Sequence, residues 1–414
     1  MDSTLTRSQL VRWRTAIFAI FLASGLSIAT WASRVPAIKV QLDISNSEVG
    51  LLLLAAGIAS IIGLSLSSVI LARVGARRGM LGAMLVFAAG VVVVGIGTDV
   101  AHSYALVAVG LAMFGLGNGA VDVMMNVEGA AIEKYSDRTI LPLFHAFFSF
   151  GTVIGAALGF LAIAWNIDVL AHTAIITVLI VVIALVSIAN VPRRDVAMDP
   201  EDPHAAVPAS TWRDRLRLAL SPWKEARTYA LGVIMLGMAF AEGGANDWLA
   251  LGVAEGHGAG QALGAAGLAV FSVSMTVVRI AGGPLVDRFG RVATLRVLAV
   301  TATAGLLLFI LAPNIPLVFV GAALWGAGVS LGFPLGMSAA ADDPAKAAAR
   351  VSAAATIGYI AFLAGPPLLG FISDHIGLLN TLYILVGLIV ASGLASSAAK
   401  PIAGSTVGAG HPHD

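Results

Sequence analysis

The chain contains no cysteine, so disulfides, thiolate metal ligands and cysteine nucleophiles are excluded. Charge is also scarce. Asp, Glu, Lys and Arg make up 11% of the 414 residues, against about 25% in soluble domains. Alternating apolar–polar runs are absent, which excludes a membrane-spanning β-barrel. No two histidines stand at a helical metal-ligand spacing, and an enzyme would need a nucleophile, metal cluster or acid–base pair within reach of one another. Neither a metal, a cofactor nor an enzymatic activity is therefore expected. A net charge of +1 provides no basic face for nucleic acid. No stretch resembles a selectivity filter, which argues against a channel.

What the chain has instead is hydrocarbon. Hydrophobic residues reach 58% and the mean hydropathy is +0.92, the composition of an all-α protein with many membrane spans. The first apolar run, Ile17–Val35, follows Arg7, Arg12 and Arg14. It is too long for a signal-peptide core and is expected to stay as the first span. Twelve spans are predicted, at about residues 13–35, 47–72, 79–98, 103–127, 139–164, 168–190, 228–251, 261–286, 291–312, 316–339, 347–372 and 377–398. Their connections are short except for 191–227, which is rich in Pro, Asp and Arg. Within it Thr211–Leu220 forms a basic amphipathic stretch suited to a membrane surface. The expected organisation is a six-helix bundle over 1–190, a cytoplasmic linker with an amphipathic helix over 191–227, and a second bundle over 228–400. A disordered cytoplasmic tail is expected over 401–414. With both termini inside, all but Arg34, Lys39 and Arg279 of the 24 Lys and Arg residues fall on the cytoplasmic side.

One stretch of span four organises the polar chemistry. Asn118, Asp122 and Asn126 recur every fourth residue and share one helix face. A carboxylate facing lipid is costly, so this stripe should face a protein interior or a water-filled cavity. Gly115, Gly117 and Gly119 beside it would admit a second helix or a ligand. Gly151, Gly155 and Gly159 in span five form a small-residue face for helix packing. Gly365-Pro366-Pro367 should break span eleven and mark a hinge.

The halves repeat. Arg73-Val-Gly75 after span two answers Arg288-Phe-Gly290 after span eight. Phe114-Gly-Leu-Gly117 answers Trp325-Gly-Ala-Gly328, and Gly159-Phe160 answers Gly370-Phe371. Near-constant offsets indicate a duplicated, pseudo-symmetric chain, an architecture of transporters.

Gly283-Pro-Leu-Val-Asp-Arg-Phe-Gly-Arg291 resembles the cytoplasmic loop signature of the major facilitator superfamily. The first-half copy, Ser68 to Arg77, has Ala72 in place of the aspartate and Ser68 in place of the glycine. The resemblance implies two six-helix bundles around a central cavity, alternating access, work as a monomer, and a gate on the inner side braced by Asp287 and Arg288. Asp122-x-x-x-Asn126, Phe144-His145 and the glycine-rich fifth span resemble the fucose-permease-like branch and its bacterial inner-membrane relatives. That resemblance implies proton-coupled symport and a coupling or substrate role for Asp122. The acid that the branch carries in span one has no counterpart in Ile28–Arg34.

Because spans five and eight meet in this superfamily, Asp122, His145 and Arg279 are expected to form an inner-half cluster. Either cation would be the conditional partner of Asp122; His145 as a packing residue and Arg279 in a static pair are the alternatives. Asn118 and Asn126 would bind a polar substrate or join neighbouring helices. In span seven Glu242 and Asp247 point roughly 140° apart at about 100° per residue. Glu242 is the second candidate for proton or substrate binding. Spans one and seven meet at the outer side in the superfamily, so Arg34 and Asp247 would form an outer gate capped by Trp31 and Trp248. Headgroup snorkelling by Arg34 and interfacial anchoring by the tryptophans are the alternatives. The partners expected are a small polar solute such as a sugar, protons and membrane lipids. An exporter of drugs or lipids, or a non-transporting membrane sensor on the same fold, are the rival readings.

Overall fold

The structure, a computed structural model, describes residues 6–136, 140–192, 221–343 and 346–402. The amphipathic stretch Thr211–Leu220 and most of the 401–414 tail lie outside the described residues. Among the described residues every regular element is helical.

Local chemistry sets the helix starts. α1 (Arg7–Ala32) opens on a capping box: the Thr6 hydroxyl accepts from the Gln9 N–H at 3.2 Å, and the Gln9 side chain accepts from the Thr6 N–H at 2.8 Å. α2 (Val35–Leu42) carries Pro36 in its first turn, where a missing N–H costs nothing. α3 (Asn46–Asp99) opens on a second box, Ser45 with Glu48. α4 (Tyr104–Ser136) and α5 (Leu141–Ala164) follow, and α6 (Val169–Ala189) is capped by Asp168 on the Ala171 N–H at 2.6 Å. After the linker come α7 (Ala226–Leu251), extended by a π-helical turn Gly252–Gly256, and α8 (Gln261–Leu311). α9 (Ile315–Val329), α10 (Gly332–Ala340), α11 (Ala347–Ile376), α12 (Leu378–Thr381) and α13 (Tyr383–Ala395) complete the chain.

Among the described residues ten helical stretches are long and apolar enough to cross a membrane, and two of these are double length. α3 turns at Gly75 (φ 77°, ψ 163°) and α8 at Gly290 (φ 76°, ψ 160°). These φ values fall where a Cβ is strained, so glycine sets both corners. They are the glycines of the repeated Arg-x-Gly pair, and the matching angles make the repeat physical. Each double helix supplies two limbs of more than about 20 residues. Twelve apolar limbs result, six before the linker and six after it.

Two expectations are corrected. Predicted span ten is split at Ser330–Leu331 into α9 and α10. Gly365-Pro366-Pro367 does not break span eleven: α11 runs through both prolines. The missing N–H groups remove two rungs of a 30-residue ladder, and α3 packs against this segment. A Cβ at Gly50 would lie 2.7 Å from the Pro366 carbonyl oxygen.

Packing divides the chain into two compact units. The first is Met1–Ala197 with Ala245–Val273 and Pro366–Thr381; the second is Met198–Gly244 with Ser274–Gly365 and Leu382–Asp414. The first is centred on buried Trp13, Phe21, Phe87, Phe144, Trp248 and Phe271. Its helices touch through glycines. A side chain at Gly115 or Gly119 would strike the Ala56 or Ser60 carbonyl of one α3 limb, and one at Gly117 the Ala83 carbonyl of the other. Gly151 and Gly155 bring α5 against the Leu22 and Leu26 carbonyls of α1. The second unit packs Leu231, Ile234, Met235, Leu295, Leu298 and Leu335 into one cluster, with Trp325 edge-on to Phe309 at 5.6 Å.

Candidate functional site

In the first unit α1, α4 and α5 converge on the polar stripe. The Ser24 hydroxyl donates to Asn118 Oδ1 at 2.5 Å. The Asn126 side-chain amide donates to the Asp122 carbonyl at 2.8 Å and lies 3.4 Å from Asp122 Oδ1. One turn from Asn118, Phe114 meets Trp31 edge-on at 5.8 Å. Phe21 stacks on Phe144 at 5.5 Å and meets the ring of His145 edge-on at 5.2 Å. Amides, a hydroxyl and aromatic rings thus line the same three helices as one carboxylate. Among the described residues no ion pair includes Asp122. Gly115, Gly117 and Gly119 are taken up by helix packing.

Glu128 lies one residue past the predicted end of span four, yet α4 continues to Ser136. The residue is 4% exposed, and its carboxylate accepts the indole N–H of fully buried Trp13 at 2.8 Å. The legible signal was an acid spaced six residues from Asp122 with no loop between them.

The outer-gate residues fall differently from expectation. Arg34 is buried, and its Nε donates to His172 Nδ1 at 3.1 Å. Its Nη2 donates to the carbonyls of Ile167 at 2.6 Å and Asp168 at 3.2 Å. Among the described residues no ion pair joins Arg34 to Asp247. Trp31 and Trp248 are both buried, and among the described residues neither indole N–H has a hydrogen-bond partner. The charged pair joining the two halves of the sequence in this unit is Lys39 with Glu255, at 2.5 Å. A second link is the Asp374 carboxylate, which accepts the Asn46 N–H at 3.0 Å and the Ser47 N–H at 2.8 Å.

In the second unit Glu242, Asp342 and Glu225 are paired with cations. Arg279 Nη2 donates to both oxygens of Glu242, at 2.7 and 2.8 Å, and its Nε donates to the Ser330 carbonyl at 3.0 Å. Arg279 therefore has Glu242, on α7, as a carboxylate partner. Asp342, whose side chain is 1% exposed, is clamped by Arg291 at 2.7 Å and Arg227 at 2.9 Å. Arg291 closes the loop signature. Asp287 and Arg288, the expected brace, are exposed; Arg288 lies over the Phe289 ring at 5.4 Å. No ion pair among the described residues includes either. Glu225, just ahead of α7, accepts from Lys346 at 2.8 Å and Arg350 at 2.7 Å. The Lys346 hydrogen bond above all, aided by Arg350 and opposed by partial burial, holds the Glu225 carboxyl below the usual range.

Comparison with known proteins agrees with this architecture. The family model described as Major Facilitator Superfamily matches residues 16–366. An uncharacterized MFS-type transporter of Yersinia pestis is 30% identical over 372 residues, 89% of each chain. Among solved structures, a nucleoside transporter superposes with a TM-score of 0.73 at 14% identity, covering 94% of this chain and 99% of its own. The fucose:proton symporter of E. coli superposes with a TM-score of 0.63 at 17% identity, covering 96% of this chain and all of its own.

Proposed function

The chain belongs to the major facilitator superfamily, and on that premise we propose that it carries a small, hydroxyl-rich solute by alternating access, coupled to protons through Asp122. The observation that carries this reading is the Asn118–Asp122–Asn126 stripe, which holds a carboxylate beside an amide with no ion pair to it among the described residues. A carboxylate without a fixed counter-charge can take up and release a proton without breaking an ion pair. Amides and a carboxylate match hydroxyl groups, and rings such as Trp31 and Phe114 match the apolar faces of a sugar or base. Two solved structures of the same fold are named as a nucleoside transporter and a fucose:proton symporter, both with hydroxyl-bearing solutes, which supports the class without specifying the solute.

Glu242 has a second role in this reading. With Arg279 it forms a conditional lock in the second unit. Removing one partner of a buried pair is costly unless the other is neutralised, so protonation of Glu242 or arrival of a solute carboxylate would free Arg279. The two sequence halves, 1–190 and 228–400, are the bodies that rock. The Lys and Arg distribution supports cytoplasmic termini, and a relative from the bacterium Yersinia pestis supports a bacterial inner membrane as the setting.

Proton flux in proteoliposomes tests the proposal, with a lumenal pH dye and a panel of sugars, nucleosides and amphipathic drugs. A solute-dependent pH signal from the sugar or nucleoside class is expected. Asp122→Asn should abolish uphill accumulation, by about 100-fold or more, while leaving solute exchange intact. Uphill transport surviving in Asp122→Asn would remove Asp122 from coupling. Signals from amphipathic compounds alone would replace the solute class with that of an exporter.

A further inference from the structure

Inside the first compact unit the first turn of α3 docks antiparallel on the last turns of α11. A Cβ at Gly50 would lie 2.7 Å from the Pro366 carbonyl oxygen and 2.9 Å from Pro367 Cα. A Cβ at Gly370 would clash with the Asn46 carbonyl and lie 3.2 Å from the buried Trp248 ring. One turn further, Asp374 accepts the Asn46 and Ser47 N–H groups at 3.0 and 2.8 Å, and the Ser47 hydroxyl as well. Positions 366, 370 and 374 share one face of α11, and 46, 50 and 53 share one face of α3. Beside this contact Lys39 pairs with Glu255 at 2.5 Å. Both links join segments from before the linker to segments after it.

Asp374 is badly placed for its own helix. It lies two residues before the end of α11 at Ile376, where the helix dipole disfavours negative charge. The same carboxylate sits at the start of α3, where the dipole favours it and the first N–H groups have no intrahelical partner. The cap of α3 takes only the Glu48 N–H, onto the Ser45 hydroxyl, and leaves those of Asn46 and Ser47 to Asp374. The electrostatics of Asp374 are therefore favourable only while α3 is docked. Its hydrogen bonds are exposed, so water can replace the carboxylate on both N–H groups when it withdraws.

We propose that Asp374 is the latch of one gate, capping α3 from α11 when that face of the transporter is closed and releasing it when that face opens. The Gly50 and Gly370 contacts set its register, and Lys39–Glu255 is an auxiliary clasp. The inference rests on the alternating-access reading above.

The absence of native cysteine permits a direct test. Leu53 is 5% exposed and lies on the docked face of α3, so Leu53→Cys reports opening through its rate of maleimide labelling in purified protein. Asp374→Asn should raise that rate about tenfold, with Asp374→Glu in between, at an unchanged melting temperature. An unchanged rate in well-folded Asp374→Asn overturns the latch. In a second arm, the pair Ser47→Cys with Asp374→Cys is oxidised in proteoliposomes. Cross-linking should stop the flux identified with the solute panel, and reductant should restore it. Flux that persists through complete cross-linking overturns the proposal as well. The labelling arm needs no solute. Faster labelling in a protein that moves nothing in the panel would count against the transport reading and leave the latch standing.

Discussion

Asp122 in the first compact unit and Glu242 in the second are both carboxylates on long apolar helices, yet their partners differ in kind. Asp122 has an amide, Asn126, at 3.4 Å from its oxygen. Glu242 has a guanidinium on both oxygens, at 2.7 and 2.8 Å, and Asp342 in the same unit has two. The contrast separates two uses of an acid partly withdrawn from solvent. One held by neutral groups can change charge state or accept a solute with little structural consequence. One held by arginine is a fastener, and losing either partner leaves an uncompensated charge. On the proposed function, Asp122 is then the group for ligand and proton chemistry, while Glu242 and Asp342 act as fasteners.

Asp342→Ala gives the largest contrast. It leaves Arg227 and Arg291 facing each other without their carboxylate and should cost about 3–5 kcal/mol. Asp122→Ala should cost under about 1.5 kcal/mol, the scale of one neutral hydrogen bond. Thermal unfolding of both variants in one detergent decides it, and equal losses would erase the distinction. Next comes the Glu242–Arg279 pair, whose side chains are 17 and 18% exposed. Arg279→Gln alone should destabilise by about 2–3 kcal/mol. The double variant with Glu242→Gln should recover most of it, and a recovery under half would mean that the Arg279–Ser330 bond matters more than the ion pair.

The smallest effect is expected at Glu225, 24% exposed on its side chain. Its carboxyl is held below the usual value, so the stabilisation is complete above the unfolded-state pKa of about 4.3. It disappears as the pH falls through the lowered folded value. Glu225→Gln should therefore cost under about 1 kcal/mol at pH 7. The gap from wild type should close on acidification below about pH 4. A gap that stays constant from pH 7 to 3.5 would show that the hydrogen bonds, and not the charge, stabilise the pair.

Residue chemistry alone determined a good deal. The apolar runs, too long for soluble helices and too continuous for strands, dictated twelve α-helical limbs. The repeat at Gly75 and Gly290 required no coordinates either, since a backbone corner between two helical limbs selects glycine wherever it occurs. The stripe of Asn118, Asp122 and Asn126 followed from 3.6-residue periodicity, which is local. Tertiary structure decided the partners. A guanidinium at the end of a long flexible side chain can pair with any acid that packing brings within reach, so counting residues along a helix could estimate the depth of Arg279 but not choose Glu242 over Asp122. For the same reason Arg34 turned to His172 and the carbonyls ahead of α6. Asp374 became intelligible only when α3 stood against α11, because a charge that its own helix disfavours is explained by the helix that covers it.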